Sequence, residues 1–264
     1  MNVFILELKA HRKSLIIWSL AMILMATSGM AKFATAANTK SMTEIIDQMP
    51  KALQTVFGLS GFDITTVIGS FGVMFFYLLI MATIHAVMLG AGIISKEERD
   101  KTTEFLMVKP ISRDSIITAK LLAALFNVVV INAVTFISSA ALINYYGKGD
   151  THLADLTLLM VAMLILQIMF MLIGTAVAAL SKKPKTAPAL ATTILLITYV
   201  LSMLIDLSDK LSFLKFLTPF KYFEAKNLIN GGSFDPIFVG LSLIIIGVMV
   251  SLTYVCYRKR DLNV

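Results

Sequence analysis

Charge is rare in this chain, and most of what could do chemistry sits in one stretch. Charged residues are only 15% of the 264, yet Lys96, Glu97, Glu98, Arg99, Asp100, Lys101, Glu104, Lys109 and Arg113 fall close together. The run holds no nucleophile–base pair and no metal-ligand spacing, so its chemistry is recognition through ion pairs and helix ends. The histidines His11, His85 and His152 are far apart and no H-E-x-x-H occurs, which leaves a metal site or an intramembrane protease unsupported. Cys256 is the only cysteine, so no intrachain disulfide forms. There is no G-x-x-x-x-G-K-[ST] phosphate loop. Gly147-Lys148 lacks both the upstream glycine and the following Ser/Thr, so the chain has no ATP site of the usual kind. No catalytic, cofactor-binding or metal residues are expected.

The elements around the charged run follow from local rules. Ser95 and Glu98 have capping-box spacing, which predicts a new helix starting there. Glu97 and Lys101 stand i,i+4 as a favourable pair. Pro110 ends that helix, because the residue before proline avoids helical geometry. Ser112 then caps the next helix, with Asp114 in its first turn facing the positive dipole end. A short charged helix over 96–108, held between two apolar runs, is the expectation.

Those runs dominate everything else. The apolar fraction is 58% and mean hydropathy +0.84, against about 45–50% apolar for a soluble domain. Six stretches, Ser14–Ala31, Ile64–Ile94, Ile116–Tyr145, Leu156–Leu180, Thr186–Ile205 and Pro236–Tyr257, approach or exceed the roughly 20 residues a bilayer crossing needs. Unpaired backbone groups are costly in lipid, so each should be helical. The fold class is therefore all-α, a polytopic membrane protein with six transmembrane helices in one unit over 1–264. With the N-terminus inside, 15 of the 23 Lys and Arg fall on the inner side, which favours cytoplasmic termini and explains the net charge of +7 without nucleic acid. A competing reading is a cleaved leader, since His11-Arg12-Lys13, an apolar run and Ala34-Thr35-Ala36 imitate a secretory signal. Cleavage would leave an odd number of spans, which argues against it.

The string Glu97-Glu98-Arg99-Asp100-Lys101-Thr102-Thr103-Glu104-Phe105-Leu106, followed by Lys109-Pro110-Ile111-Ser112-Arg113 and Lys120, resembles the signature of ABC-2 type transporter permeases. Thr102 stands where glycine is more usual in that family, while Thr103 and Glu104 match. The resemblance implies that 96–108 is a coupling helix docking into a groove of an ATPase subunit, with Glu97, Glu98, Lys101, Thr103, Glu104, Phe105, Leu106, Pro110 and Arg113 as its working residues. It implies two ATPase copies that bind ATP and magnesium, and a second permease as homodimer or paralogue heterodimer. It also implies a plasma-membrane location, bacterial in character. Residues 1–13, mixing Val3, Phe4, Ile5, Leu6 and Leu8 with Glu7, Lys9, Arg12 and Lys13, are compatible with an interfacial helix. Residues 207–235 are apolar and aromatic but broken by Lys215, Pro219 and Lys221. They read as an external re-entrant element around Pro219, Phe220, Tyr222 and Phe223, with Tyr222 and the lysines at headgroup level.

Two other function classes are weighed. A secondary transporter or channel usually carries charge at mid-membrane, and no span here has a central Asp, Glu, Lys or Arg. A membrane enzyme lacks its catalytic constellation. His85 packs toward neighbouring helices or serves a proton or substrate path. Asn127, Asn132 and Gln167 suit interhelical hydrogen bonds. Spans with few charges suit an amphipathic or apolar cargo, such as a peptide antibiotic, toxin, drug or lipid-linked molecule.

Overall fold

The computed structural model describes residues 3–37, 45–46, 48–102, 111–147 and 152–259. Its long helices are α1 (Val3–Ala37), α3 (Val67–Arg99), α4 (Arg113–Tyr146), α5 (Leu153–Leu180), α6 (Ala187–Leu207) and α8 (Pro236–Lys259). All six are long and apolar enough to cross a membrane, and no strand occurs among the described residues. The chain is an all-α polytopic membrane protein. Between these spans lie two short helices, α2 (Lys51–Val56) and α7 (Ala225–Gly231), and two 3-10 stretches, Asp209–Leu217 and Pro219–Lys221.

Helix ends follow the capping chemistry. Thr66 Oγ1 accepts from Gly69 N (3.1 Å) at the start of α3, and Ser112 Oγ accepts from Ser115 N (3.2 Å) at the start of α4. Asp114 lies in the first turn of α4, as expected. Two expectations fail. Residues 3–13 are no separate interfacial helix but the first turns of α1, which runs unbroken for 35 residues. No proline or glycine interrupts it before Gly29, and Lys9, Arg12 and Lys13 are good helix formers. Nor does a helix begin at Ser95. The Ser95 hydroxyl donates to the Ala91 carbonyl (2.8 Å), and α3 continues to Arg99 with Asp100 as its C-cap. Residues 103–110 lie outside the described residues.

α3 and α5 form the centre of the bundle. Buried residues make up 67% and 61% of their most apolar windows, against 11% in each of α6 and α8, which lie at the periphery of the bundle. The central pair meets backbone to backbone. A Cβ on Gly90 would stand 2.0 Å from the Met171 carbonyl oxygen, and one on Gly174 would stand 2.4 Å from that of Val87. Lipid tails give no hydrophobic drive between helices, so close approach through small residues supplies the packing.

α1 and α3 run antiparallel in a register that three contacts define. Glu7 meets Lys96, Trp18 meets His85, and Gly29 meets Met74. Each step moves eleven residues along one helix and eleven back along the other. Eleven residues are about three full turns, so all three contacts share one face of each helix. α1 also packs along α4, and α8 packs along α5.

Candidate functional site

Charge concentrates at both ends of this bundle. At the end where α1 starts and α3 finishes, Lys120 is fully buried in the second turn of α4. Its ammonium donates to both oxygens of Glu97 (2.6 and 2.7 Å) and to the Ile93 carbonyl. Ile93 and Glu97 are i,i+4 on α3, so one helix face offers both acceptors. Glu7 of α1 completes the group. One of its oxygens is 3.5 Å from Lys120 Nζ; the other is 3.3 Å from Lys96 Nζ and 3.6 Å from His11 Nε2. The consecutive helices α3 and α4 are thus joined to each other and to the distant α1 through one buried ammonium. Asp114 and Arg258 bind a fourth at the same end, with bidentate contacts of 2.6 and 2.5 Å linking α4 to α8.

The expected coupling residues divide. Glu97 and Glu98 occupy the last turns of α3. Glu97 pairs with Lys120 rather than Lys101, which falls in the turn after the helix with a left-handed φ of 56°. Arg99 and Asp100 pair at 2.9 Å, and hydrogen bonding to Arg99 holds the Asp100 carboxyl below its usual range. Arg113 opens α4 and donates to the Arg258 carbonyl (2.9 Å). Thr103, Glu104, Phe105, Leu106 and Pro110 lie outside the described residues. Sequence reasoning places Lys120 in the signature string and Glu7 on a charged flank, and gives neither a partner. The signal was available in part, since Lys120 is the one charge beyond the first turn of its apolar run.

At the opposite end, a second charge group borders a cleft that opens to solvent. Lys221, its side chain 6% exposed, bridges Asp206 at the end of α6 and Glu224 at the start of α7. Lys226, 36% exposed, reaches the same two carboxylates at 3.5 and 3.4 Å. Burial works to lower the Lys226 ammonium, but the carboxylates of Glu224 and Asp206 outweigh it and hold it above its usual value. Pro219, Phe220, Tyr222 and Phe223 are all buried. Tyr222 and Lys221 are buried against the rest of the protein. Tyr222 stacks on Phe238 with ring centroids 5.1 Å apart and donates its hydroxyl to the Phe216 carbonyl. Lys215 stays exposed, over the rings of Phe216 and Phe238.

In the bundle interior Asn132 donates to Met160 O and Gln167 Oε1, both at 3.1 Å, joining α4 to α5 as their types suggest. Asn127 instead donates to Ala123 O in its own helix. His85 packs against Trp18 of α1 at a centroid distance of 5.1 Å. No group of three metal-ligating side chains occurs among the described residues.

A family model described as ABC-2 family transporter protein matches residues 1–262. The chain belongs to this family. No curated protein matches it in a sequence search. As an ABC-2 permease it is the membrane component of an ABC transporter, and its family works with separate ABC ATPase subunits. The position of the Lys120 group now gains weight. It lies where α3 ends and α4 begins, at the two roots of the connector between Arg99 and Arg113.

Proposed function

We propose that this permease exports an amphipathic or hydrophobic cargo, a peptide antibiotic, toxin, drug or lipid-linked molecule, across a bacterial plasma membrane. Two ATPase subunits bind ATP and magnesium and drive it, and a second permease, identical or paralogous, completes the transmembrane unit. The N- and C-termini face the cytoplasm, the side favoured by the basic residues, and the 207–235 segment then faces outward.

The observation that carries this reading is the buried Lys120–Glu97–Glu7 group. Force applied to the connector between Arg99 and Arg113 reaches α3 and α4 at their ends. Lys120 then ties both helices to α1, so the three move as one body instead of bending separately. Pairing of this kind favours one fixed arrangement of its helices, because an unpaired charge in the interior is heavily penalised. Within the connector, Phe105 and Leu106 anchor in the ATPase groove, and Glu98, Lys101, Thr103, Glu104 and Pro110 set its orientation.

The test compares Phe105→Ala and Glu104→Ala with Lys148→Ala, a residue of the opposite side, at matched expression. Truncating a buried aromatic anchor commonly costs at least about 2 kcal/mol of binding. Phe105→Ala should therefore lose ATPase co-purification and transport, Glu104→Ala should weaken both in a salt-dependent manner, and Lys148→Ala should retain them. Unchanged ATPase recovery and transport in the first two would refute the coupling role.

A further inference from the structure

The cleft beside Asp206 and Glu224 has the chemistry of a ligand site whose key position is filled by the chain itself. One wall is aromatic: Tyr199 lies between Phe76 and Phe220 at centroid distances of 6.0 and 5.6 Å, with Phe62 and Phe223 completing the lining. The polar end holds two carboxylates and two ammoniums, and the ammoniums are not equivalent. Lys221 is buried and bridges both carboxylates closely. Lys226 lies toward solvent and stands 3.4–3.5 Å from them, longer than the about 2.7–2.9 Å of a well-made charged hydrogen bond. With Lys221 built in, the two carboxylates keep one unit of negative charge, and only a long, half-exposed side chain neutralises it.

We propose that this cleft binds a free single-chain amphiphile with a primary ammonium head, and that the ligand's head displaces the Lys226 ammonium from Glu224 and Asp206. The apolar chain lies along the ring of Tyr199 and its neighbours. The head gains two carboxylates already oriented by Lys221 and, for Glu224, by Asn227, which donates to its second oxygen at 3.1 Å. Lys226 is then a tethered competitor. Any cation weaker than a second ammonium is kept out, and the cleft carries no unpaired charge when empty. An anionic amphiphile finds the opposite situation, since the one loosely held cation is already flanked by two negative groups. This binding needs neither ATP nor a partner, so it stands or falls apart from the export reading.

The experiment titrates a long-chain alkylamine, with a fluorophore at the far end of its chain, against the full-length permease in neutral maltoside micelles. Its N-acetyl counterpart serves as the uncharged control. An exposed ion pair is worth up to about 1 kcal/mol, so Lys226→Ala should tighten amine binding roughly three- to fivefold. Hydrogen bonds to charged groups are worth about 1.5–3 kcal/mol, so Glu224→Gln should weaken it at least about tenfold. The acetylated probe should bind weakly to all forms. Lys226 is half-exposed, so its variant folds and the decisive result is a gain. Amine binding that is unchanged or weaker in Lys226→Ala overturns the proposal, as does equal binding of the acetylated probe. Displacement of the amine by phosphatidylethanolamine at matched concentration would overturn the assignment to a free amphiphile.

Discussion

The two charged ends of the bundle are built from the same residue types and do different things. Around Lys120 the partners come from α1, α3 and α4; Lys120, Glu7 and Glu97 have side chains 0–14% exposed, while Lys96 and His11 at the edge of the group are 30% and 20% exposed. Around Lys221 the four members all lie between residues 206 and 226, with side chains 6–36% exposed. The first group ties α1 to α3 and α4 around a fully buried ammonium, so it can lock three helices. The second shapes a local turn, touches water and borders open space. Dryness and sequence separation, not the count of ion pairs, distinguish a strut from a receptor.

The comparison breaks most visibly at Lys120. Replacing it with methionine keeps the stem volume but leaves Glu97 without its ion-pair partner and Glu7 with only Lys96 and His11, both partly exposed. Removing one partner of a buried pair costs on the order of 3–5 kcal/mol. Lys120→Met should lower the thermal unfolding temperature in detergent by more than any other single charge removal in this protein. Adding Glu97→Gln and Glu7→Gln to the same chain should recover much of that loss, because the uncompensated charges disappear. A triple variant no more stable than the single one would show that Lys120 acts through shape alone.

Lys221→Met tests the other end, and a smaller effect is expected. Asp206 and Glu224 retain Lys226 and reach solvent, so the loss should be nearer about 1.5–3 kcal/mol. Unfolding temperatures measured side by side should rank Lys120→Met well below Lys221→Met. The reverse order would mean that the turn after α6, rather than the three-helix strut, carries more of the stability.

Much of this was legible in the sequence, and what was not has a physical reason. The apolar runs locate all six spans, and Ser112 and Asp114 mark the start of α4 correctly, because hydropathy and capping are local properties. The Ser95 cap failed because a serine hydroxyl can equally donate back to the carbonyl four residues earlier, and inside a long apolar helix it does. Residues 3–13 continue into α1 instead of forming a separate helix, because nothing in their sequence stops a helix. The partner of Lys120 could not be read at all, since the proximity of residues 7, 97 and 120 is a product of tertiary packing. The eleven-residue spacing of Glu7, Trp18 and Gly29 was present in the sequence, but it names a helix face and not what meets it. At the other end, the charges between 206 and 226 were visible, while the inward turn of Lys221 and Tyr222 depends on how the 3-10 stretches fold back onto α6 and α8.

The smallest effect should come from a pair whose contacts are short. Arg258 and Asp114 meet in two hydrogen bonds of 2.6 and 2.5 Å, closer than any distance in the Lys120 group except that to the Ile93 carbonyl and one to Glu97. Judged by geometry alone, this would be among the strongest interactions in the chain. Yet the two side chains are 58% and 44% exposed, so water solvates either charge well once its partner is gone. Exposed pairs contribute little for that reason, and salt weakens them further. Arg258 also accepts a hydrogen bond from Arg113 through its backbone carbonyl, and Tyr254 shares a 2.7 Å contact with Thr118, so the join between α4 and α8 does not depend on the guanidinium. Arg258→Ala should therefore leave the unfolding temperature within error of the parent, and high salt should erase any residual difference. Lys120→Met, whose lost contacts are buried, should keep its deficit at the same salt. A large, salt-resistant loss in Arg258→Ala would show that contact geometry outweighs solvent access, and the distinction drawn between the two ends would fail with it.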